Sequence, residues 1–330
     1  MQRKEIFIGV DVSKETLDVA VSGSKNHIRI ANGSIGFAQL KGWLKSLSID
    51  LSHCWFVLEY TGGYEYRLIQ FLHSKGIRFT RVPGLEIKRS MGMQRGKTDK
   101  IDAGRIAQYG QEKKAKLKAD KGYNVAIGKL KQLLTQRRGF VSDKKAHEHR
   151  MNELQSMMEL SSSDPVIKHY RQAVAFAKKM IDKTEQVIMK IIASDESMKR
   201  NFFLITSIPG IGNVNGWMTI TYTENFKCFS DARKYGAYCG VVPFDHSSGT
   251  SIKGKSRVSH MANKLIKADL DMAARASVGH DPEMKQYYER KVKEGKNKMS
   301  VLNAVRNKII HRIFAVIKSQ TPYKLSLDLS

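Results

Sequence analysis

Short apolar runs alternate with amphipathic stretches over roughly the first quarter of the chain. Apolar runs bounded by polar residues are typical of buried strands, and apolar residues three or four positions apart are typical of helices. The pattern predicts strands at Ile6–Val10, Thr16–Val21, His27–Ala31, Cys54–Leu58 and Ile77–Val82. A helix follows the third strand, with one face at Ala38, Leu40, Trp43, Leu44 and Leu47. Another follows the fourth strand, with Leu68, Phe71 and Leu72 inward.

The order of these elements predicts the fold of the amino-terminal part. Ser13 and Lys14 fit the turn of a first hairpin, and Gly76 fits the residue that ends the second helix. Three antiparallel strands followed by helix, strand, helix and strand is the order of an RNase H-like α/β domain. We therefore predict such a domain over residues 1–115.

The middle of the chain, from about Lys113 to Arg200, has a different pattern. It is rich in Lys, Gln, Glu and Met, and two apolar stripes recur at helical spacing. The stripes begin at Leu130 and at Val174. Two long helices that form a hairpin or a coiled-coil arm fit this pattern best. We predict a helical coiled-coil linker over residues 116–200.

The last part, residues 201–330, is predicted to be mostly α-helical. Leu302, Val305, Ile309, Ile313 and Val316 mark the buried face of its final helix. Near its start, Ser207–Gly212 predicts a helix-hairpin-helix, in which a tight turn joins two helices. The glycines at 210 and 212 would let backbone N–H groups reach a nucleic-acid phosphate.

The charge of the chain narrows the class of partner. Lys and Arg number 57 against 31 Asp and Glu, a formal net charge of +26. Such an excess indicates a polyanion, most simply nucleic acid. A basic membrane-surface protein would instead concentrate its charge on one amphipathic helix. No apolar stretch reaches membrane-spanning length, and the three scattered cysteines form no disulfide or zinc pattern, so we expect a cytoplasmic protein without a membrane partner.

Four carboxylates are spaced as a nuclease would need them. Asp11 and Glu59 each end a predicted strand, while Asp99 and Asp102 lie in the first turn of a helix that Thr98 caps. If the strands are neighbours and the helix packs across their ends, the four acids converge. Carboxylates that close repel one another unless divalent cations lie between them. The pattern predicts a Mg²⁺ site for phosphodiester chemistry.

A second candidate site is the segment Gly240–Arg257, which reads as a loop. Serines, glycines and cations together suit phosphate binding, whereas composition alone favours a solvated flexible loop. In the functional interpretation, one serine attacks phosphorus and is activated by His246 or a metal-bound carboxylate. The cations that would stabilise the developing charge are Lys253, Lys255 and Arg257. The spacing by itself does not select among Ser247, Ser248 and Ser251.

Basic residues surround the acidic candidates along the chain. Those before or beside them are Lys88, Arg89, Arg95, Lys97 and Lys100, and those after them are Lys113, Lys114, Lys116, Lys118 and Lys121. Such a stretch suits a surface that binds a nucleic-acid backbone.

Several motifs together resemble the DEDD-type insertion-sequence transposases, the group that includes the Piv DNA invertases. They are Gly9–Asp18, Glu59–Tyr64, Lys97–Ala103, Ser207–Gly212, and Gly240–Pro243 followed by Ser248–Gly249. Their order and spacing agree with that family over essentially the whole chain. The match is specific as a set, although no single motif is.

The resemblance implies a RuvC-like domain, a helical linker and a carboxyl-terminal transposase domain. It implies that Asp11, Glu59, Asp99 and Asp102 bind Mg²⁺ and that Ser248, directly before glycine, is the nucleophile. Ser247 stands where some relatives have an acidic residue and remains an alternative. Members are bacterial or archaeal, are guided by a structured bridge RNA that pairs with target and donor DNA, and work as dimers that assemble into tetramers.

The sequence thus predicts an RNA-guided DNA recombinase that exchanges strands through a covalent phosphoserine–DNA intermediate. One alternative is a metal-dependent nuclease of the Holliday-junction type, which would hydrolyse DNA and form no protein–DNA bond. Another is a non-catalytic nucleic-acid-binding protein on a decayed scaffold. The presence of all four acids argues against the last.

Overall fold

The computed structural model describes residues 5–60, 62–90, 98–120, 124–229, 231–248, 252–258 and 262–324, with the backbone alone for 244–248 and 252–257. The chain divides into two compact units, Met1–Tyr123 and Asn124–Ser330. Within the described ranges, no helix has both the length and the apolar character to cross a membrane.

The first unit is built on a five-stranded mixed sheet. Its strands are β1 (Ile6–Val12), β2 (Thr16–Val21), β3 (His27–Ala31), β4 (Cys54–Glu59) and β5 (Arg78–Val82). Their order across the sheet is β3-β2-β1-β4-β5. The pairs β1–β2 and β2–β3 are antiparallel, whereas β1–β4 and β4–β5 are parallel. The predicted α/β character of this part is confirmed, but β1 continues to Val12, so Asp11 lies inside the strand and not after it.

The described residues of this unit form four α-helices. They are α1 (Ser34–Ser46), α2 (Tyr66–Ser74), α3 (Gly84–Ser90) and α4 (Asp99–Glu112). Leu40 of α1 and Leu68 of α2 join one apolar core with Ile8 and Phe56, and Ile106 of α4 joins another with Phe7. The central strands are therefore apolar at consecutive positions, as strands covered on both faces must be.

The predicted face of α1 differs from the structure at one position. Leu40 and Leu44 are buried, and Trp43 and Leu47 pack against the same core, but Ala38 is exposed and Phe37 is buried in its place. The larger aromatic side chain buries more apolar area than a methyl group.

The second unit is mostly helical, as predicted. Its helices are α5 (Val125–Met158), α6 (Pro165–Ala193), α7 (Glu196–Thr206), α8 (Asn213–Tyr222), α9 (Ala232–Tyr238), α10 (Lys264–His280), α11 (Pro282–Lys293) and α12 (Lys298–Ser319). The pair α5 and α6 forms the expected hairpin, with Arg137 Nε 2.7 Å from Glu185 Oε1. Trp217 and Ile309 lie in the shared core of the later helices.

One part of the second unit differs from the prediction. The segment read as a loop between Gly240 and Arg257 contains two antiparallel strands, β6 (Phe244–Ser248) and β7 (Ile252–Arg257). Its glycines and serines do not show the alternation of apolar and polar residues that marks a strand in a sequence. The pairing of the two backbones forms the hairpin nevertheless.

Candidate active site

The parallel pair β1 and β4 brings two of the predicted acids to one edge of the sheet. Val10 is the register partner of Leu58, so Asp11 and Glu59 follow at equivalent positions on neighbouring strands. Both residues are half-buried. Neighbouring strands lie about 4.8 Å apart, and the two carboxylates therefore share one neighbourhood.

Helix α4 supplies the other two acids because it packs closely on β1. A Cβ atom at Gly9 would overlap Ala103 O and the backbone of Ala107, so only glycine permits this approach. Thr98 caps the helix, its side chain accepting a hydrogen bond from Ile101 N at 3.3 Å. Asp99 and Asp102 thus lie in the first turn, where the helix dipole favours negative charge.

The pKa of Asp11 reflects its burial and the other acids around it. It is raised from its ordinary value to about 6, first by burial and then by the negative charges of Asp99, Glu59 and Asp102, with Asp18 adding to them. Acids on β2, on β4 and on α4 therefore act on one carboxyl group of β1. The four predicted acids thus lie in one neighbourhood of the first unit.

Arginine side chains pair with the two acids of α4. Arg29 Nη2 donates to Asp99 Oδ2 at 2.6 Å, and Arg105 Nη1 donates to Asp102 Oδ1 at 2.9 Å. Arg29 Nε also donates to Asp18 Oδ2 at 2.9 Å. These contacts offset part of the negative charge on the α4 side of the site.

Sequence reasoning gave no role to Asp18, His27 or Arg29. Asp18 is buried at 3% exposure, and His27 Nε2 lies 2.7 Å from its Oδ1. Asp18 is also the register partner of Asp11 across β1 and β2. A lone acid within the apolar strand Leu17–Val21 was the signal that could have found it, because a buried carboxylate requires partners.

Glycine at position 84 makes room for the Glu59 carboxylate. A Cβ atom at Gly84 would overlap Glu59 Oε1. The start of α3 thus closes over the side of Glu59. This contact also was not visible from the spacing of the motifs.

The donor set fits a divalent cation by its chemistry. Carboxylate oxygens are the ligands that Mg²⁺ prefers. A cation would offset both the burial and the neighbouring negative charges that raise the pKa of Asp11. In the described part of the chain, no three or more His, Cys, Asp or Glu side chains are gathered as a ready-made metal cage. Binding would therefore have to draw the acids closer together.

The two predicted glycines of the α7–α8 turn have different surroundings. Gly210 has φ +87°, and a Cβ atom there would overlap the backbone of Ser277 in α10. Its glycine is thus required by packing. Gly212 is exposed at the N-cap of α8, with nothing within 4 Å of a Cβ position. Gly212 keeps the freedom that phosphate contact requires.

The backbone of β6 and β7 places the serine candidates. Ser247 is paired with Lys253, and Ser248 is paired with Ile252. Cross-strand partners share a face, so Lys253 belongs to the face of Ser247. Lys255 and Arg257 lie further along β7, while Gly249 and Ser251, like Arg95 and Lys97, fall outside the described residues.

The segment before β6 is anchored to two helices. Asn303 Nδ2 of α12 donates to Val241 O at 2.8 Å. Gly240 has φ +67°, and a Cβ atom there would overlap the side chain of Ala262, just before α10. The hairpin of β6 and β7, which we call the serine hairpin, therefore begins at a defined position within the second unit.

The chain matches two transposase families in succession. Residues 8–159 match the DEDD type, described as a transposase, and residues 203–289 match the transposase family IS116/IS110/IS902. The chain belongs to the IS110 transposases. The first match contains the four acids, and the second contains the α7–α8 turn and the serine hairpin.

Similar proteins come from several bacteria. The pilin gene-inverting proteins of Moraxella lacunata and Moraxella bovis are each 26% identical over 323 residues, 96% of this chain and 97% of theirs. An uncharacterized 43.6 kDa protein of the insertion element IS110 from Streptomyces coelicolor is 28% identical over 121 residues, 37% of this chain and 30% of its own. This IS110 transposase is accordingly an enzyme of DNA rearrangement, and DNA is its substrate.

Proposed function

We propose that this transposase is an RNA-guided DNA recombinase of an insertion sequence, which breaks and joins strands through a phosphoserine–DNA intermediate. The observation that carries the proposal is the neighbourhood of Asp11, Glu59, Asp99 and Asp102, where the charges of the last three add to burial in raising the pKa of Asp11. A strongly basic protein with this acidic centre suits phosphodiester chemistry. The similarity to proteins named for inverting a pilin gene supports recombination as the outcome.

The four acids are proposed to hold Mg²⁺, which when bound would polarise a phosphate oxygen. Arg29 and Arg105 would keep Asp99 and Asp102 oriented toward that centre through their ion pairs. Half-burial of Asp11 and Glu59 limits the water that competes for the site.

Ser248 is the proposed nucleophile. Its Oγ forms a bond to phosphorus as the bond from phosphorus to a deoxyribose oxygen breaks, and the serine proton ends on that departing oxygen. A hydroxyl group of the second strand then attacks the same phosphorus and releases the serine. The number of phosphate ester bonds is unchanged, so strand exchange requires no nucleotide hydrolysis. Lys253, Lys255 and Arg257 are proposed to stabilise the charge on phosphorus.

The finer fold assignments belong to the same proposal. The strand order β3-β2-β1-β4-β5 supports an RNase H-like, RuvC-like domain over residues 1–115. We assign residues 116–200 to a linker and 201–330 to the transposase domain. In the latter, the α7–α8 turn would act as a helix-hairpin-helix with Gly210 shaping the turn and Gly212 contacting phosphate.

The partners follow from the family resemblance. A bridge RNA would select donor and target DNA in a bacterial or archaeal cytoplasm, and Arg95 and Lys97 would contact nucleic acid. Homodimers that assemble into a tetramer would bring the acidic centre of one subunit to the serine of another.

The test is a denaturing gel of the protein incubated with DNA, Mg²⁺ and the RNA transcribed from the flank of its element. Wild type should give a covalent protein–DNA adduct, which Ser248→Ala and Asp11→Asn should lose while still binding DNA. An adduct that persists in Ser248→Ala but disappears in Ser247→Ala would move the nucleophile by one residue. Cleavage with no adduct in any variant would refute the phosphoserine step and favour a hydrolytic nuclease.

A further inference from the structure

A cavity of about 550 Å³ in the first unit opens beside the acidic centre. It lies between the end of β5, helix α3, the carboxyl end of α4 and the segment that follows α4. The residues that line it include Arg81, Arg89, Lys113, Lys116 and Lys118. The cavity is thus walled by cations from several separate parts of the chain.

The carboxylate that lines this cavity accepts a hydrogen bond from a neighbouring tyrosine. Glu86 supplies the carboxylate among its described lining residues, and Tyr109 Oη donates to Glu86 Oε1 at 2.6 Å. Burial, and then this hydrogen bond, raise the pKa of Tyr109 to about 12, so the phenol stays a neutral donor. The contact also fixes α3 against α4.

Of the five cations named above, Arg81 forms an ion pair, and the other four are available to bind an anionic ligand. Arg81 Nε is paired with Asp120 Oδ2 at 2.7 Å, and its guanidinium lies 5.3 Å from the centre of the Tyr60 ring. Over the ranges that the structure describes, no acid forms an ion pair with the remaining cations, Arg89, Lys113, Lys116 and Lys118. Uncompensated cations around one cavity favour an anion with several charges.

The wall that carries Lys116 and Lys118 is held in place by the sheet. Trp55 Nε1 donates to Thr80 Oγ1 at 2.8 Å, and Thr80 Oγ1 donates to Lys118 O at 2.8 Å. Asp120 N donates to Phe79 O at 2.8 Å. The segment after α4 therefore runs along the edge of β5 and has a fixed position there.

The cavity is continuous with the acidic centre. Val82 lines it and is the register partner of Glu59 in the parallel pair β4–β5. Pro83 also lines it, and the next residue, Gly84, contacts the Glu59 carboxylate. The wall of the cavity at Val82 is thus one strand spacing, about 4.8 Å, from Glu59.

We propose that this cavity binds the phosphodiester backbone of one DNA strand, the strand that the acidic centre acts on. The assignment rests on the proposed function. A volume of about 550 Å³ suits a short segment of one strand. Val82, Pro83 and Leu117 supply apolar contact for sugar and base, while the cations bind phosphates. The cations of the cavity would offset the repulsion between the acids and the phosphates of the same strand.

The test compares two double variants of the full chain that lose the same charge. Lys116→Gln with Lys118→Gln removes two exposed cations of the cavity, and Lys45→Gln with Lys75→Gln removes two exposed cations elsewhere in the same unit. Fluorescence anisotropy with a short fluorescein-labelled single-stranded DNA gives the affinity between about 50 and 200 mM salt, without Mg²⁺. An RNA of the same sequence is the second probe.

The cavity variant should bind DNA more weakly than the control pair. Its slope of log affinity against log salt should be shallower by about 1.4, since each single-strand phosphate contact contributes about 0.7. Equal slopes in the two variants would overturn the proposal, and so would a loss confined to the RNA probe. Thermal unfolding should be the same for both variants. A further outcome separates the two proposals. If the cavity variant binds DNA more weakly while wild type breaks no strand in the presence of Mg²⁺, the proposed function is refuted and the assignment of the cavity stands.

Discussion

At Asp11, burial and four neighbouring acids act on a single carboxyl group. The local sequence does not predict these influences, because a solvated aspartate has an ordinary pKa whatever its sequence neighbours. The sheet places Glu59 beside it, and α4 places Asp99 and Asp102 above it. The same group therefore links the stability of the first unit to the proposed binding of Mg²⁺.

Asp11 makes stability depend on pH in a predictable direction. Its pKa is about 6 in the folded protein against 3.8 in the reference state, so from about pH 4 to pH 6 the folded chain holds a proton that the unfolded chain has lost. Stability from this group falls as pH rises through that window. In EDTA, Asp11→Asn should therefore unfold at a higher temperature than wild type above pH 6, and the difference should vanish near pH 4.

The measurement is thermal unfolding of both proteins at a series of pH values, with and without Mg²⁺. Added Mg²⁺ should raise the melting temperature of wild type more than that of Asp11→Asn. Parallel curves over the whole pH range would show that the raised pKa is absent.

At the scale of elements, the contact between α4 and β1 decides whether the acids meet. Gly9 is the point of closest approach, and its backbone touches that of α4. The cap at Thr98 sets where α4 begins, and the parallel register of β1 and β4 sets where the strands deliver their acids. Three local features thus combine at one site.

Gly9→Ala should separate α4 from β1. The added methyl group would overlap backbone atoms, which cannot rotate away, so we expect a loss of about 1–3 kcal/mol in the free energy of unfolding. Gly104→Ala in α4 itself is the matched control, because nothing lies within 4 Å of its Cβ position. It should gain about 0.5–1 kcal/mol from helix propensity.

Urea unfolding of the two glycine variants measures these changes. At a low temperature where the Gly9→Ala variant is still folded, it should nevertheless have lost Mg²⁺-dependent strand breakage. Wild-type stability and activity in Gly9→Ala would contradict the close approach of α4.

At the scale of the whole molecule, the net charge of +26 governs behaviour in solution. Charges of one sign repel one another in the compact state, and this repulsion is screened over about 8 Å at physiological salt. Many of the ion pairs involve exposed side chains, which contribute little to stability. Repulsion should therefore outweigh them.

A higher NaCl concentration should stabilise the protein in the absence of nucleic acid. We expect the melting temperature to rise by about 2–4 °C for each kcal/mol of repulsion that is screened. A neutral osmolyte at equal osmolality is the control, and it separates screening from excluded-volume effects. A melting temperature that falls with NaCl would mean that attractive ion pairs dominate.

Local patterns were sufficient for a large part of this structure. The strands β1 to β5, the helical hairpin, the cap of α4 and the final helix were predicted because apolar periodicity and capping are properties of neighbouring residues. The choice of the acids rested on predicted strand ends and on the first turn of α4, although β1 continues past Asp11 to Val12. The roles of these acids and of the serines remain predictions.

The tertiary structure alone decided which distant residues meet. Asp18 and Arg29 beside the acids, Gly84 against Glu59, and the cationic cavity all depend on contacts between elements far apart in the chain. The hairpin of β6 and β7 depends on pairing between backbones and shows no apolar alternation. Periodicity records which face of an element is buried. It carries no record of the partner that covers that face, because long-range pairing is selected by the packing of the whole unit.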